Sequence, residues 1–142
     1  MVLIRPKHSI DADTIEFQKR GLPHAHILTW LADRSDTPAA RFIDTFISAE
    51  LPDPRDDPLG YQLVQDHTMH GPCGVHNPKS PCMKDGRCSK GYPKPFHAET
   101  FTDQEGFPVY RRSDNGLVVR RNGVLLDNRW VVPRNLQVLK KY

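Results

Sequence analysis

Nothing in the 142-residue chain approaches the run of ~18 apolar residues that a bilayer-spanning helix requires. The opening Met1-Val2-Leu3-Ile4 is too short for the apolar stretch of a secretion signal, so a soluble intracellular protein without a membrane partner is expected. Cysteine is scarce and odd in number, three in all, which disfavours a disulfide framework and leaves metal ligation or free thiols. Aromatic residues make up only 8% of the chain, so any core is small. There is no Gly-x-x-x-x-Gly-Lys-[Ser/Thr] loop and no Gly-x-Ser-x-Gly elbow, which excludes the common nucleotide-hydrolysing and serine-esterase sites. What the chain has in quantity is proline, 13 residues, and charge, 26%.

The net charge of +3 hides an uneven distribution. Seven acids (Asp33, Asp36, Asp44, Glu50, Asp53, Asp56, Asp57) against three arginines make the second quarter acidic. Six arginines (Arg111, Arg112, Arg120, Arg121, Arg129, Arg134) against Asp114 and Asp127 make the last third basic. Such a stripe is either a polyanion surface or an ordinary solvated hairpin face.

The length suits a single domain over residues 1–142, and local patterns place its parts. Thr14-Ile15-Glu16-Phe17-Gln18 alternates polar and apolar, and His24 to Leu31 returns across a Gly-Pro turn, giving a hairpin over 14–31. Two helices are expected over 35–70. One is capped by Ser35 or Asp36 and carries Ala39, Phe42, Ile43, Phe46 and Ile47; the other opens at Asp57-Pro58. Residues 71–96 are poor in aliphatics and rich in Pro, Gly, Cys and Lys, so something other than a hydrophobic core must order them. In the basic stretch 108–133, Leu117–Arg121 meets Val124–Leu126 across Asn122-Gly123, a strong hairpin signal, and Trp130-Val131-Val132 is a candidate third strand. The fold class expected is α+β: an antiparallel sheet carrying the His-x-His strand, flanked by helices, with a Cys/His-rich loop insertion.

His24 and His26 stand two apart on an expected strand, so both imidazoles share a face and can ligate one divalent cation. Glu16 and Gln18 on the partner strand offer a third, oxygen ligand, with Lys19 and Arg20 nearby. Leu28 and Thr29 stand where a His-x-His-x-Asp-His hydrolase would need its Asp and His. Cys73, Cys82 and Cys88, with His67, His70 and His76 close by, suit a three-Cys, one-His zinc site, His70 being the first choice of fourth ligand. Reduced free thiols in a loop are the alternative.

These residues also resemble a known family. Glu16-Phe17-Gln18-Lys19-Arg20-Gly21-Leu22-Pro23-His24-Ala25-His26-Ile27-Leu28 is similar to the metal-binding motif of the Helitron transposase replication-initiator domain. That domain, often labelled the Helitron helicase-like domain, belongs to the His-hydrophobe-His (HUH) endonucleases. The resemblance continues through His70-Gly71-Pro72-Cys73-Gly74 and Asn77-Pro78-Lys79-Ser80-Pro81-Cys82-Met83. It runs on through Gly86-Arg87-Cys88-Ser89-Lys90-Gly91-Tyr92-Pro93-Lys94 and resumes at Asn128-Arg129-Trp130-Val131-Val132-Pro133.

The resemblance implies a rolling-circle endonuclease that holds Mg²⁺ or Mn²⁺ on His24, His26 and one of Glu16 or Gln18. Its tyrosine nucleophile attacks a phosphate of single-stranded DNA, leaving a phosphotyrosine link. It further implies nuclear residence and a helicase domain C-terminal in the same polypeptide. Lys19, Arg20, Lys90, Tyr92, Lys94, Arg120 and Arg121 are the expected DNA contacts, cations interleaved with aromatics suiting a single strand. The family's catalytic tyrosine pair lies downstream of the segment resembling Val131-Val132-Pro133, and Tyr142 is only a weak candidate for that role. Arg134 stands where the family usually has an aromatic. The chain is therefore expected to be inactive in nicking by itself. The competing expectation is a non-enzymatic, zinc-stabilised nucleic-acid-binding or vestigial domain; a water-using metallophosphoesterase ranks last.

Overall fold

The computed structural model describes residues 10–17, 23–29 and 40–141. The chain divides between Asp36 and Thr37 into two compact units. In the first, β1 (Ile10–Phe17) and β2 (Pro23–Thr29) form an antiparallel pair. Its register sets Glu16 opposite His24 and Thr14 opposite His26. Gln18, Lys19 and Arg20 lie outside the described residues, as do the expected helix caps Ser35 and Asp36.

The second unit is built from short elements. Helix α1 covers Ala40–Phe46 and α2 covers Pro58–His67. The start of α2 follows from its sequence: the Asp57 carboxylate accepts the Gly60 N–H at 2.9 Å, and Pro58 occupies a first-turn position whose N–H needs no partner. The other strands pair only with their neighbours: β3 (Met83–Lys84) with β4 (Arg87–Cys88), β5 (Phe101–Thr102) with β6 (Pro108–Val109), and β7 (Val119–Arg121) with β8 (Val124–Leu126). Asn122 and Gly123, at φ 50° and 78°, make the tight turn between β7 and β8 that an Asn-Gly pair favours. The described strands thus form four two-stranded ribbons rather than one sheet. The fold is α+β with antiparallel pairing; in the second unit the expected sheet is replaced by separate ribbons whose strands run only two or three residues.

Nor do Trp130, Val131 and Val132 extend the β7–β8 ribbon. Asp127 caps a 3-10 turn over Asn128–Trp130 by accepting the Arg129 N–H at 2.9 Å. Beyond it, Val131 bridges to Met69. His70 N–H donates to Trp130 O at 2.8 Å and Val132 N–H to Thr68 O at 2.7 Å, clamping the exit of α2 against residues 130–132. Helix α3 (Leu136–Lys141) follows and meets α2 through Lys140, whose Nζ lies 2.7 Å from the Asp57 carboxylate.

The core is small: Leu51, Val64, Met69, Cys73, Val119, Leu126, Trp130 and Val131. Around it runs a buried polar layer. Arg112, 4% exposed, donates from one guanidinium nitrogen to Asn128 O at 2.6 Å and Val131 O at 2.7 Å. Arg134 donates to Ser48 O at 2.8 Å and Glu50 O at 2.6 Å. The fully buried Asn128 accepts the Leu51 N–H at 2.7 Å and donates to Ser113 O at 2.8 Å. These side chains satisfy carbonyls and amides that loops would otherwise bury without partners. No helix among the described residues is long and apolar enough to cross a membrane.

Candidate metal centre

The stretch from His70 to Lys94 has almost no aliphatic side chains, yet it is ordered around four donors. Cys82 and Cys88 are brought together by the β3–β4 hairpin. Its turn residues Asp85 and Gly86 sit at φ 48° and 76°, a left-handed pair that suits Asp-Gly. Ser89 N–H donates to Cys82 O at 2.8 Å and continues the pairing past Met83 and Cys88. From the other side come Cys73, 1% exposed, and His70, set in place by its backbone bond to Trp130. Between them Gly71 takes φ 91° against the Trp130 ring, where an added Cβ would lie 2.8 Å from a ring carbon.

His70 Nε2 is 3.6 Å from Cys73 Sγ and 3.3 Å from Cys88 Sγ, and the ligand atoms of His70, Cys73, Cys82 and Cys88 all lie within 4.8 Å of one another. Around a tetrahedral zinc with its usual bond lengths, a nitrogen–sulfur edge measures about 3.5 Å. The group therefore has the composition, count and spacing to hold a metal ion such as zinc. When bound, such an ion supplies a cross-link between the two turns. The Tyr92 ring stacks on the His70 imidazole, centroids 4.2 Å apart and planes 17° from parallel, so ring orientation is fixed from the side. Lys94 Nζ stands 5.4 Å from the centroid of the Tyr92 ring.

The electrostatics agree with metal ligation at His70. Burial, then the charges of Lys94 and Lys90, hold its pKa below the ordinary histidine value and favour the neutral imidazole. Burial, with hydrogen bonds to Cys82 and Cys88, pushes the Cys73 thiol up to about 12. Burial also pushes on Cys88, but backbone donors from Tyr92 and Lys90 and the neighbouring thiols outweigh it, leaving Cys88 below its ordinary value. One of three adjacent thiols thus favours the thiolate while another resists it.

Of the three histidines offered by the sequence, the structure selects His70. His67, at the end of α2, and His76, in the loop, are exposed and outside the group. The expected DNA contacts separate. Lys90 and Arg120 are exposed, as are Lys79, Lys84 and Arg87 around the hairpin. Tyr92 is packed against His70 and Lys94 is half-buried beside it.

The basic stripe is largely spoken for. Arg112 and Arg134 are buried, Arg111 pairs with Glu50 at 3.0 Å, and Arg129 pairs with Asp127 at 2.7 Å. Arg121 donates to Met69 O at 3.1 Å. Among these six, Arg120 alone is exposed with no hydrogen-bond or ion-pair partner. Sequence reasoning took Tyr92 for a base-stacking residue and missed its support of His70. The short spacing from Cys88 to an aromatic was the available signal. No family model matches the chain, and no curated protein matches it.

Proposed function

We propose that the chain is the metal- and DNA-binding part of a Helitron-like rolling-circle endonuclease. It binds single-stranded DNA and, at His24, His26 and Glu16, Mg²⁺ or Mn²⁺. The observation that carries this reading is the four-donor group. His70, Cys73, Cys82 and Cys88 come from the separate motifs on which the resemblance rests, and they converge on one point. Motifs that meet in space are joined by a shared physical task. Support for the hairpin comes from its register, which pairs Glu16 with His24 and so offers an oxygen ligand beside the two histidines. The exposed Lys79, Lys84, Arg87 and Lys90 form a cationic surface around the ordered hairpin, suited to phosphates. On this reading the protein works in a nucleus, beside a helicase domain of the same polypeptide.

A second reading is a zinc-stabilised nucleic-acid-binding module that does not nick. It is favoured by the tyrosines. Tyr61 donates its hydroxyl to Val118 O at 2.7 Å, Tyr92 is stacked against His70, and burial raises the Tyr110 pKa, so none of the three is poised as a nucleophile. Tyr142 lies outside the described residues.

Incubation with single-stranded oligonucleotides and Mn²⁺, resolved on a denaturing gel, separates the two. A covalent protein–DNA adduct that is lost in the His24→Ala, His26→Ala double variant supports the endonuclease. Binding that weakens steeply with salt, without an adduct, supports the second reading, because each phosphate contact releases counterions. The absence of both adduct and salt-dependent binding overturns each of them.

A further inference from the structure

The four donors of the metal group differ in what protects them. Cys73 is 1% exposed and forms part of the core cluster. Cys82 and Cys88 are half-buried; Cys82 precedes and Cys88 ends a two-residue-per-strand hairpin whose tip, Lys84 to Arg87, is exposed. All three cysteines are free thiols, and their sulfurs lie within 4.8 Å of one another. Only a few ångströms of side-chain movement separate Cys82 and Cys88 from bonding distance, and both side chains lie partly buried at the edge of the core cluster rather than inside it.

We propose that Cys82 and Cys88 are an oxidisable pair, a modification site at which a hydroperoxide opens the metal group. One thiolate attacks the peroxide oxygen. The O–O bond breaks, hydroxide leaves, and that sulfur becomes a sulfenic acid. The second thiolate attacks this sulfur; the S–S bond forms, the S–O bond breaks, and a second hydroxide leaves. Two protons from solvent complete two waters. Two electrons pass from the sulfurs to one hydrogen peroxide, and a bound divalent ion departs to solvent with its oxidation state unchanged. Only Cys73 and His70 then remain as donors, too few for a closed site. The inference rests on the metal group and not on the DNA reading.

The test uses the full chain loaded with zinc and treated with hydrogen peroxide. Released zinc is followed with a chromogenic chelator, and the cysteines are mapped by peptide mass. The expected result is one zinc released per Cys82–Cys88 disulfide, with rebinding after dithiothreitol. Cys82→His keeps four donors but removes one partner of the disulfide, so it should release zinc at least about tenfold more slowly. Equal release from Cys82→His, or a map showing sulfinic acid and no Cys82–Cys88 link, overturns the proposal. If the purified chain takes up no zinc, the metal reading itself fails. The peptide map of the peroxide-treated chain then decides alone: a Cys82–Cys88 link sustains the oxidisable pair and its absence ends it.

Discussion

Arg112 illustrates how far a charged residue can be from the surface its charge suggests. Its guanidinium donates to the carbonyls of Asn128 and Val131, and burial lowers its pKa while Tyr92 and Glu50 act in the opposite sense. Arg112→Ala leaves those carbonyls buried without donors and should cost about 2–4 kcal/mol. Arg112→Lys should fall between, because an ammonium on a flexible stem does not reproduce a planar fork of donors. Urea midpoints of the three proteins check the order. This residue also marks a limit of sequence reading. Six arginines near a hairpin look the same whether they face solvent or carbonyls, and only the loops packed around Arg112 and Arg134 decide. Cys73, Cys82, Cys88 and His70 were legible because ligand chemistry narrows the choice to few residue types at short range. The support from Tyr92 was not, since a ring between two lysines reads equally as a stacking platform for bases.

At the scale of elements, short-range signals were the reliable ones. Asp57-Pro58 opened α2 and Asn122-Gly123 turned β7 into β8, each through a local backbone preference that packing had no reason to override. The β3–β4 and β5–β6 ribbons escaped because two residues per strand show no alternation, although Asp85-Gly86 carried the turn signal for the first. The Asp57 carboxylate joins two elements, capping α2 and meeting Lys140 of α3. The Lys140 hydrogen bond, then that from Gly60 N–H, holds its pKa below the ordinary 3.8. A depressed carboxylate contributes stability that is fully present above its unfolded pKa and is lost as pH falls through the folded value. Asn also caps helices but does not titrate. Between about pH 6 and pH 3, the urea midpoint should therefore fall further for the wild type than for Asp57→Asn. Parallel curves would show that this link contributes nothing.

For the molecule as a whole, the balance between core and cross-link sets the expected behaviour. Among the described residues nine hydrophobics are buried, Ala49 and the eight of the core cluster; residues 70–94 contribute Cys73 to that cluster, and Cys82, Met83, Cys88 and Tyr92 only pack against it, partly buried. A metal ion on His70, Cys73, Cys82 and Cys88 would then carry much of the order in that segment, as structural zinc does in small domains. Zinc content near one per chain is expected in protein purified without chelator. Stripping it should lower the melting temperature by ten degrees or more, about what a loss of 2 kcal/mol produces in a domain of roughly 100 residues. Calorimetry before and after chelation measures this, and an unchanged transition would remove zinc from the account of stability.

The backbone bond from His70 to Trp130 has a consequence in time. A chain growing from its N-terminus has made all four donors once Cys88 emerges, and they can gather a cation from that moment. The carbonyl on which His70 is seated does not yet exist, nor does the ring against which Gly71 folds. Capture of the ion and its final placement are therefore separate events in synthesis, the second waiting on the arrival of residues 130–132.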